Sequence, residues 1–216
     1  MIPVMIVPVL ARHDLLNRMI ASINYGVKDL VIIDNAGDSK YEPVWNQWVG
    51  NVHLWRFPHN LGVSTSWNLG IKAFPYADYW LICNFDTEWA GDSLRLFAET
   101  ATTDSLVLSG SPQPWCAFTL GWQVVDTVGL FDEALHPAYF EDNDYQRRCT
   151  ASNIKVNHSF IPIAHDNSST LHAGYTARNA ETFPNNAEYY HHKEQRGDLS
   201  EGRWSIRRRR RNAWDS

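Results

Sequence analysis

Four short apolar runs in the first half of this chain, each rich in β-branched or aromatic residues, limit what it can fold into more than any other feature. They are Ile2 to Leu10, Leu30 to Ile33, Val52 to Phe57 and Trp80 to Cys83. Runs of this length and make-up predict strands. Between the first two, Leu15, Met19, Ile20 and Ile23 recur at helical spacing, and Val63 to Phe74 and Ser93 to Thr100 also suit helices. Strands alternating with helices imply an α/β domain whose central sheet is mostly parallel and covered on both faces. In such sheets ligands bind beyond the carboxyl ends of the strands, so the residues directly after each run are the first place to look for chemistry.

Those residues are polar in all four cases: Ala11-Arg12-His13-Asp14, Asp34-Asn35-Ala36-Gly37, His59-Asn60-Leu61-Gly62 and Asn84-Phe85-Asp86. Asn, Asp and Gly are ordinary turn formers, so one such loop says little. Four on one rim point to a polar crevice. Asp86 follows a strand directly and projects into that crevice, where a carboxylate can hold a hard divalent cation alongside phosphate oxygens and water. Read alone, the same NxD pattern also suits a helix cap. The segment His59 to Ile71 opens a helix with small and amide-bearing residues, whose free N–H groups suit a phosphate or a ribose hydroxyl. Neither GxGxxG nor GK[ST] is present, which excludes a dinucleotide fingerprint and a P-loop.

Beyond Asp86 the pattern is less regular. It predicts a strand over Leu106 to Leu108, a short helix over Gly121 to Val128, and a helix over Glu141 to Ser152. Glu141, Asp142 and Asp144 stand in the first turn of that last helix, where the dipole favours them and where capping alone would account for them. Lys155 to Ala164 reads as one strand ending at His165. From Gly174 onward the chain is polar, with Phe183, Tyr189 and Tyr190 as its few anchors, and reads as an extension wrapped on the domain.

At 216 residues and 44% hydrophobic composition, the chain can hold a core without disulfide or metal staples. Cys83, Cys116 and Cys149 cannot all pair and form no CxxC, which fits a reduced cytoplasmic setting. The stretch Met1 to Leu10 is too short for a membrane span and lacks the flanks of a signal peptide. A net charge of −5 argues against a general nucleic-acid binder. The run Arg207 to Arg211 is the exception, readable as a solvated tail or as a contact for acceptor phosphates, an anionic membrane surface or nucleic acid.

Five stretches, taken together and in order, resemble the inverting nucleotide-sugar glycosyltransferases of the large "family two" type, with the GT-A fold. They are IIDNAG at 32 to 37, HNLGVSTSWNLGI at 59 to 71, CNFDTEW at 83 to 89, VGLFDEALHPAYFEDNDYQRRC at 128 to 149, and HDNSST at 165 to 170. The resemblance implies a catalytic domain over 1–175 and a C-terminal extension with a basic tail over 176–216. It implies transfer of a monosaccharide from a nucleoside-diphosphate sugar to a hydroxyl acceptor (a glycan, a lipid-linked intermediate or a protein), with Mn²⁺ or Mg²⁺ as cofactor. Carried over residue by residue, Val9, Ala11, Arg12 and Asp34 bind the nucleoside, and Asn60, Gly62, Asn68 and Asn84 shape the nucleotide pocket. Asp86 reaches the metal and His165 completes the metal site, with His172 as the neighbouring alternative. Asp142 matches the catalytic base, while Glu141 and Trp115 lie by the donor sugar and acceptor. The family more often carries two or three acidic residues where this chain has Asn84-Phe85-Asp86. Short stand-alone relatives occur in bacteria and their phages, which again suggests a cytoplasmic setting.

Two other readings share the fold. A sugar-phosphate nucleotidyltransferase would carry a glycine-rich GxGxR-like loop after the first strand, where this chain has VLARHD. A noncatalytic nucleotide- or glycan-binding module would bind without turnover. The base, the sugar and the acceptor depend on pocket shape rather than on these motifs.

Overall fold

The computed structural model describes residues 1–37, 40–166 and 169–202. The Arg207–Arg211 run lies outside the described residues. Seven strands form the main sheet in the order β3-β2-β1-β4-β7-β6-β8. They are β1 (Ile2–Val9), β2 (Val27–Asp34), β3 (Val49–Arg56), β4 (Tyr79–Cys83), β6 (Ser105–Leu108), β7 (Ala117–Gly121) and β8 (Lys155–His158). All adjacent pairs are parallel except the two made by β7, which runs antiparallel to both β4 and β6. A separate antiparallel ribbon joins β5 (Thr87–Trp89) to β9 (Ile163–His165). The single strand expected over Lys155 to Ala164 is therefore two strands in two sheets, divided by a loop carrying Pro162 and the fully exposed Phe160.

Side chains alternate across the sheet and build a core on each face. Met5, Val7 and Val9 of β1 pack with Leu16, Met19 and Ile20 of α1 (His13–Ser22) and with Leu94 and Phe97 of α3 (Ser93–Thr100). Val4 and Ile6 face the other way, onto Trp67 and Ile71 of α2 (Val63–Ala73), Val124 of α4 (Trp122–Val128), and Tyr145 and Cys149 of α5 (Glu141–Ala151). At Gly70 helix α2 lies directly on β1, and a Cβ there would come within 2.7 Å of the Ile6 side chain. All three cysteines are buried and free.

The polar C-terminal segment forms α6 (Thr176–Gln195), entered through a helical turn kinked at Ala173 and Gly174. Two of its polar residues, Asn186 and Lys193, are buried on its inner face. The Lys193 ammonium donates to Asp132 Oδ2 at 2.6 Å and to the Ser200 carbonyl at 2.6 Å, and stands 2.9 Å from Asp144 Oδ1. Asp144 is held in turn by Arg148 of the same helix at 2.8 Å. These ion pairs help to fasten α6 to the domain. Among the described residues, no helix is long and apolar enough to cross a membrane.

Candidate active site

A cleft of about 360 Å³ opens beyond the carboxyl ends of β1 and β4, where an open α/β sheet is expected to bind its ligands. Asn84, Phe85 and Asp86 enter it directly from β4. Asp86 is buried, with only 4% of its surface exposed. In the β5–β9 ribbon, Thr87 pairs opposite His165, and the Asp166 N–H donates to the Asp86 carbonyl at 3.1 Å. Two residues far apart in sequence are thereby set side by side: His165 Nε2 lies 3.1 Å from Asp86 Oδ1 and 3.3 Å from the Asn84 amide nitrogen. Arg18 of α1, paired with both Glu88 and Asp166, braces the ribbon from outside. Burial pushes the Asp86 carboxyl up, but the hydrogen bond and charge of His165, with help from Ser169, bring it below its ordinary value.

Among the described residues, no group of three or more His, Cys, Asp or Glu side chains could hold a metal. The pair present nevertheless suits a divalent cation. Two ligands at about 2.1 Å from an octahedral ion and at right angles to each other stand about 3.0 Å apart, close to the separation seen here. Among the described residues, the buried His165 Nδ1 has no hydrogen-bond partner. His172 is exposed and does not line the cleft.

The second acidic group enters from the start of α5. Tyr139 and Phe140 both take left-handed backbone angles, with φ of 78° and 72°, an unusual pair of non-glycine residues at the entrance to a helix. Phe183 and Tyr190 of α6 pack against this turn, with ring centroids 5.1 Å and 5.5 Å from Phe140. The turn delivers Glu141 and Asp142 to the first turn of α5 and to the cleft. Glu141 is buried, and among the described residues its Oε2 accepts no hydrogen bond. Burial, reinforced by the charge of Asp142, pushes its carboxyl up to about 8. Asp142 is half-buried and is also raised by burial, partly offset by backbone N–H groups, including Asn143 at 2.8 Å. The third acid of the motif, Asp144, faces inward to Arg148 and Lys193.

The nucleotide set divides. Val9, Asn60, Gly62 and Asn84 line the cleft. Asn60 Oδ1 accepts the Gly62 N–H at 2.9 Å, and Gly62 has a φ of +82° with a Cβ position only 2.8 Å from the His136 ring. Only glycine lets the 60–63 and 136–137 loops approach this closely. Ala11, Arg12, Asp34 and Asn68 do not line the cleft, each for a local reason. Ala11 precedes the left-handed Arg12 cap of α1, and the Arg12 guanidinium turns onto Asp14 at 2.7 Å. Asp34 is covered, accepting the Ala36 N–H at 3.0 Å and standing 3.2 Å from His13, whose ring stacks on Tyr41. Asn68 clamps both the N–H and the carbonyl of Phe131, each at 2.9 Å.

Trp115 lines the cleft with its indole N–H directed at Gln146, 3.3 Å away, and its ring edge-on to Phe118. Residues to which the sequence assigns no role also reach the cleft. Asn35 joins the end of β2 to α2 through Ser66 at 3.0 Å and the Leu61 N–H at 3.1 Å. Tyr175, Arg178 and Asn179 line the cleft from the C-terminal segment. The sequence from Gly174 onward is polar, and nothing local in it marks them.

No family model and no curated protein sequence matches the chain. Solved structures do. A mannosyltransferase from Pyrobaculum calidifontis, in complex with GDP-Man and Mn²⁺, is 11% identical with a TM-score of 0.59, over 83% of this chain and 61% of that one. TarS (residues 1–349) from S. aureus is 13% identical with a TM-score of 0.54, over 74% and 58%. The catalytic domain of Drosophila beta1,4-galactosyltransferase 7 is 11% identical with a TM-score of 0.54, over 78% and 71%. The chain thus spans about 60% of the length of the first two. At these identities the likeness is one of architecture, and it agrees with the mostly parallel sheet interrupted by β7: the chain has the GT-A fold of the glycosyltransferases.

Proposed function

We propose that this chain transfers a monosaccharide from a nucleoside-diphosphate sugar to a hydroxyl acceptor with inversion, using Mn²⁺ or Mg²⁺. The observation that carries the reading is that one cleft of a GT-A fold receives both the Asp86–His165 pair and the Glu141–Asp142 pair. Asp86 and His165 would hold the cation, which when bound supplies a Lewis acid for the phosphate oxygens. The rest is the work of the chain's own side chains. Asp142, half-buried and raised by its surroundings, takes the proton from the acceptor hydroxyl. Glu141 keeps its proton at neutral pH and so donates a hydrogen bond to a sugar oxygen while adding no charge beside Asp142. Trp115 offers an aromatic face to the apolar side of a sugar ring. Val9, Asn60, Gly62 and Asn84 form the wall against which the nucleotide packs.

The test is a thermal-shift screen of UDP, GDP, dTDP and CDP sugars with Mn²⁺, followed by donor hydrolysis with and without EDTA. A ligand that binds only the native state raises the melting temperature. The reading expects one base to stand out and nucleoside diphosphate to be released in an EDTA-sensitive way. Binding without release under either condition would point to a noncatalytic module, and release of pyrophosphate from a nucleoside triphosphate to a nucleotidyltransferase.

A further inference from the structure

The cleft is lopsided in charge. The carboxylates of Asp86 and Asp142 line it, Glu141 adding no charge, and among its described lining residues Arg178 is the one arginine or lysine. Arg178 is exposed in the third position of α6, and its guanidinium has no hydrogen bond or ion pair among the described residues. That contrasts with Arg12, Arg18, Arg56, Arg95, Arg147 and Arg148, all engaged with carboxylates. The wall that carries Arg178 continues from the cation pair: His165, Ser169, Thr170, Leu171 and Tyr175 line the cleft in turn before it.

A nucleoside diphosphate brings several negative charges into a pocket already holding carboxylates, and like charges at close range repel strongly when water is reduced. A divalent cation beside the Asp86 carboxylate leaves one net positive charge, fewer than the negative charges of a nucleoside diphosphate, so neutralisation by protein and ion together is incomplete there. A guanidinium answers this chemistry. Its planar fork matches two phosphate oxygens at once, and it stays charged at any working pH.

We propose that Arg178 is the diphosphate-binding residue of this cleft, so that the C-terminal helix is part of the donor site. This rests on the donor class proposed above. It also means that diphosphate binding does not depend wholly on the divalent cation.

The experiment compares wild type with Arg178→Ala and Arg178→Lys. Both changes are at an exposed position, and folding is checked by an unchanged melting temperature without ligand. Titration calorimetry uses whichever of UDP, GDP, dTDP or CDP binds wild type, the matching nucleoside without phosphates, and inorganic pyrophosphate, each with Mn²⁺ and with EDTA. Arg178→Ala is expected to weaken the diphosphate and pyrophosphate on the order of tenfold to a hundredfold, the scale of a lost charge-assisted contact, and to leave the nucleoside unchanged. Arg178→Lys recovers part of the loss. In EDTA the wild type retains diphosphate binding that the alanine variant lacks. Equal diphosphate affinity in wild type and Arg178→Ala, or an equal loss for the bare nucleoside, overturns the assignment while the proposed function stands. If none of the four diphosphates binds wild type, both fall together.

Discussion

Replacing Lys193 by methionine tests what joins the C-terminal helix to the domain. The ammonium is buried between Asp132 and Asp144, which respond differently to its loss. Asp144 keeps Arg148 at 2.8 Å. Among the described residues, Asp132 keeps only the Tyr189 hydroxyl at 3.0 Å and the Ala134 N–H at 2.9 Å, and no cation. Removing one partner of a buried ion pair costs about 3–5 kcal/mol, chiefly because the other charge remains in place, and here that cost falls on Asp132. A domain of this kind has about 5–15 kcal/mol in all, so the variant has a cheaper exit: α6 can lift off and let water reach the carboxylate. The measured loss is the smaller of the two costs. Urea unfolding followed by tryptophan fluorescence, with amide hydrogen exchange, separates them. Residues 176–195 should lose protection while β1 and β4 keep theirs, with a fall in stability of about 3 kcal/mol. Adding Asp132→Asn should restore at least about 1 kcal/mol, since the two side chains are coupled. A loss under about 1 kcal/mol in Lys193→Met, with protection across α6 unchanged, would refute the reasoning.

Three further outcomes are expected. Asp142→Asn should lower turnover by about 100- to 10,000-fold with nucleotide affinity unchanged, measured as steady-state kcat beside calorimetric Kd; equal kcat would remove Asp142 from the role of base. The folded-state value of Glu141, about 8, stands above its ordinary 4.5, so the folded protein holds a proton that the unfolded chain has released. Stability on this account falls as pH rises from about 4.5 to about 8 and then levels off. Glu141→Gln should abolish that slope and gain on wild type by a few kcal/mol across the window; parallel urea midpoints would contradict it. Gly70→Ala should destabilise by about 1–3 kcal/mol despite the better helix former, because its Cβ has no room beside the fully buried Ile6; a rise in melting temperature would show that α2 can shift.

What the sequence revealed and what it hid follow from where the stabilising contacts come from. β1, β4 and the Leu30–Ile33 part of β2 are buried on both faces and so appear as apolar runs. β7 escaped because Gly121 ends the strand and caps α4 in the same residue, leaving no turn signal between strand and helix. Helix α6 read as an extension because its buried positions are Asn186 and Lys193, and ion pairs leave no hydrophobic stripe. In the cleft, Asp86, Glu141, Asp142 and His165 were legible from motifs that also fix their neighbours. Asn68 was assigned to the pocket, yet its amide is engaged by Phe131, a partner that arrives only through tertiary packing. Arg178 sits in a polar helix with nothing local to mark it.

The ribbon of β5 and β9 has a bearing on how the protein comes into being. Asp86 emerges from the ribosome well ahead of His165, and until the later strand zips onto the earlier one the two side chains are not paired. A chain stopped short of β9 therefore already holds β1 and β4, beyond whose ends the cleft opens, but not the side-by-side placement of Asp86 and His165 on which the proposed cation site depends.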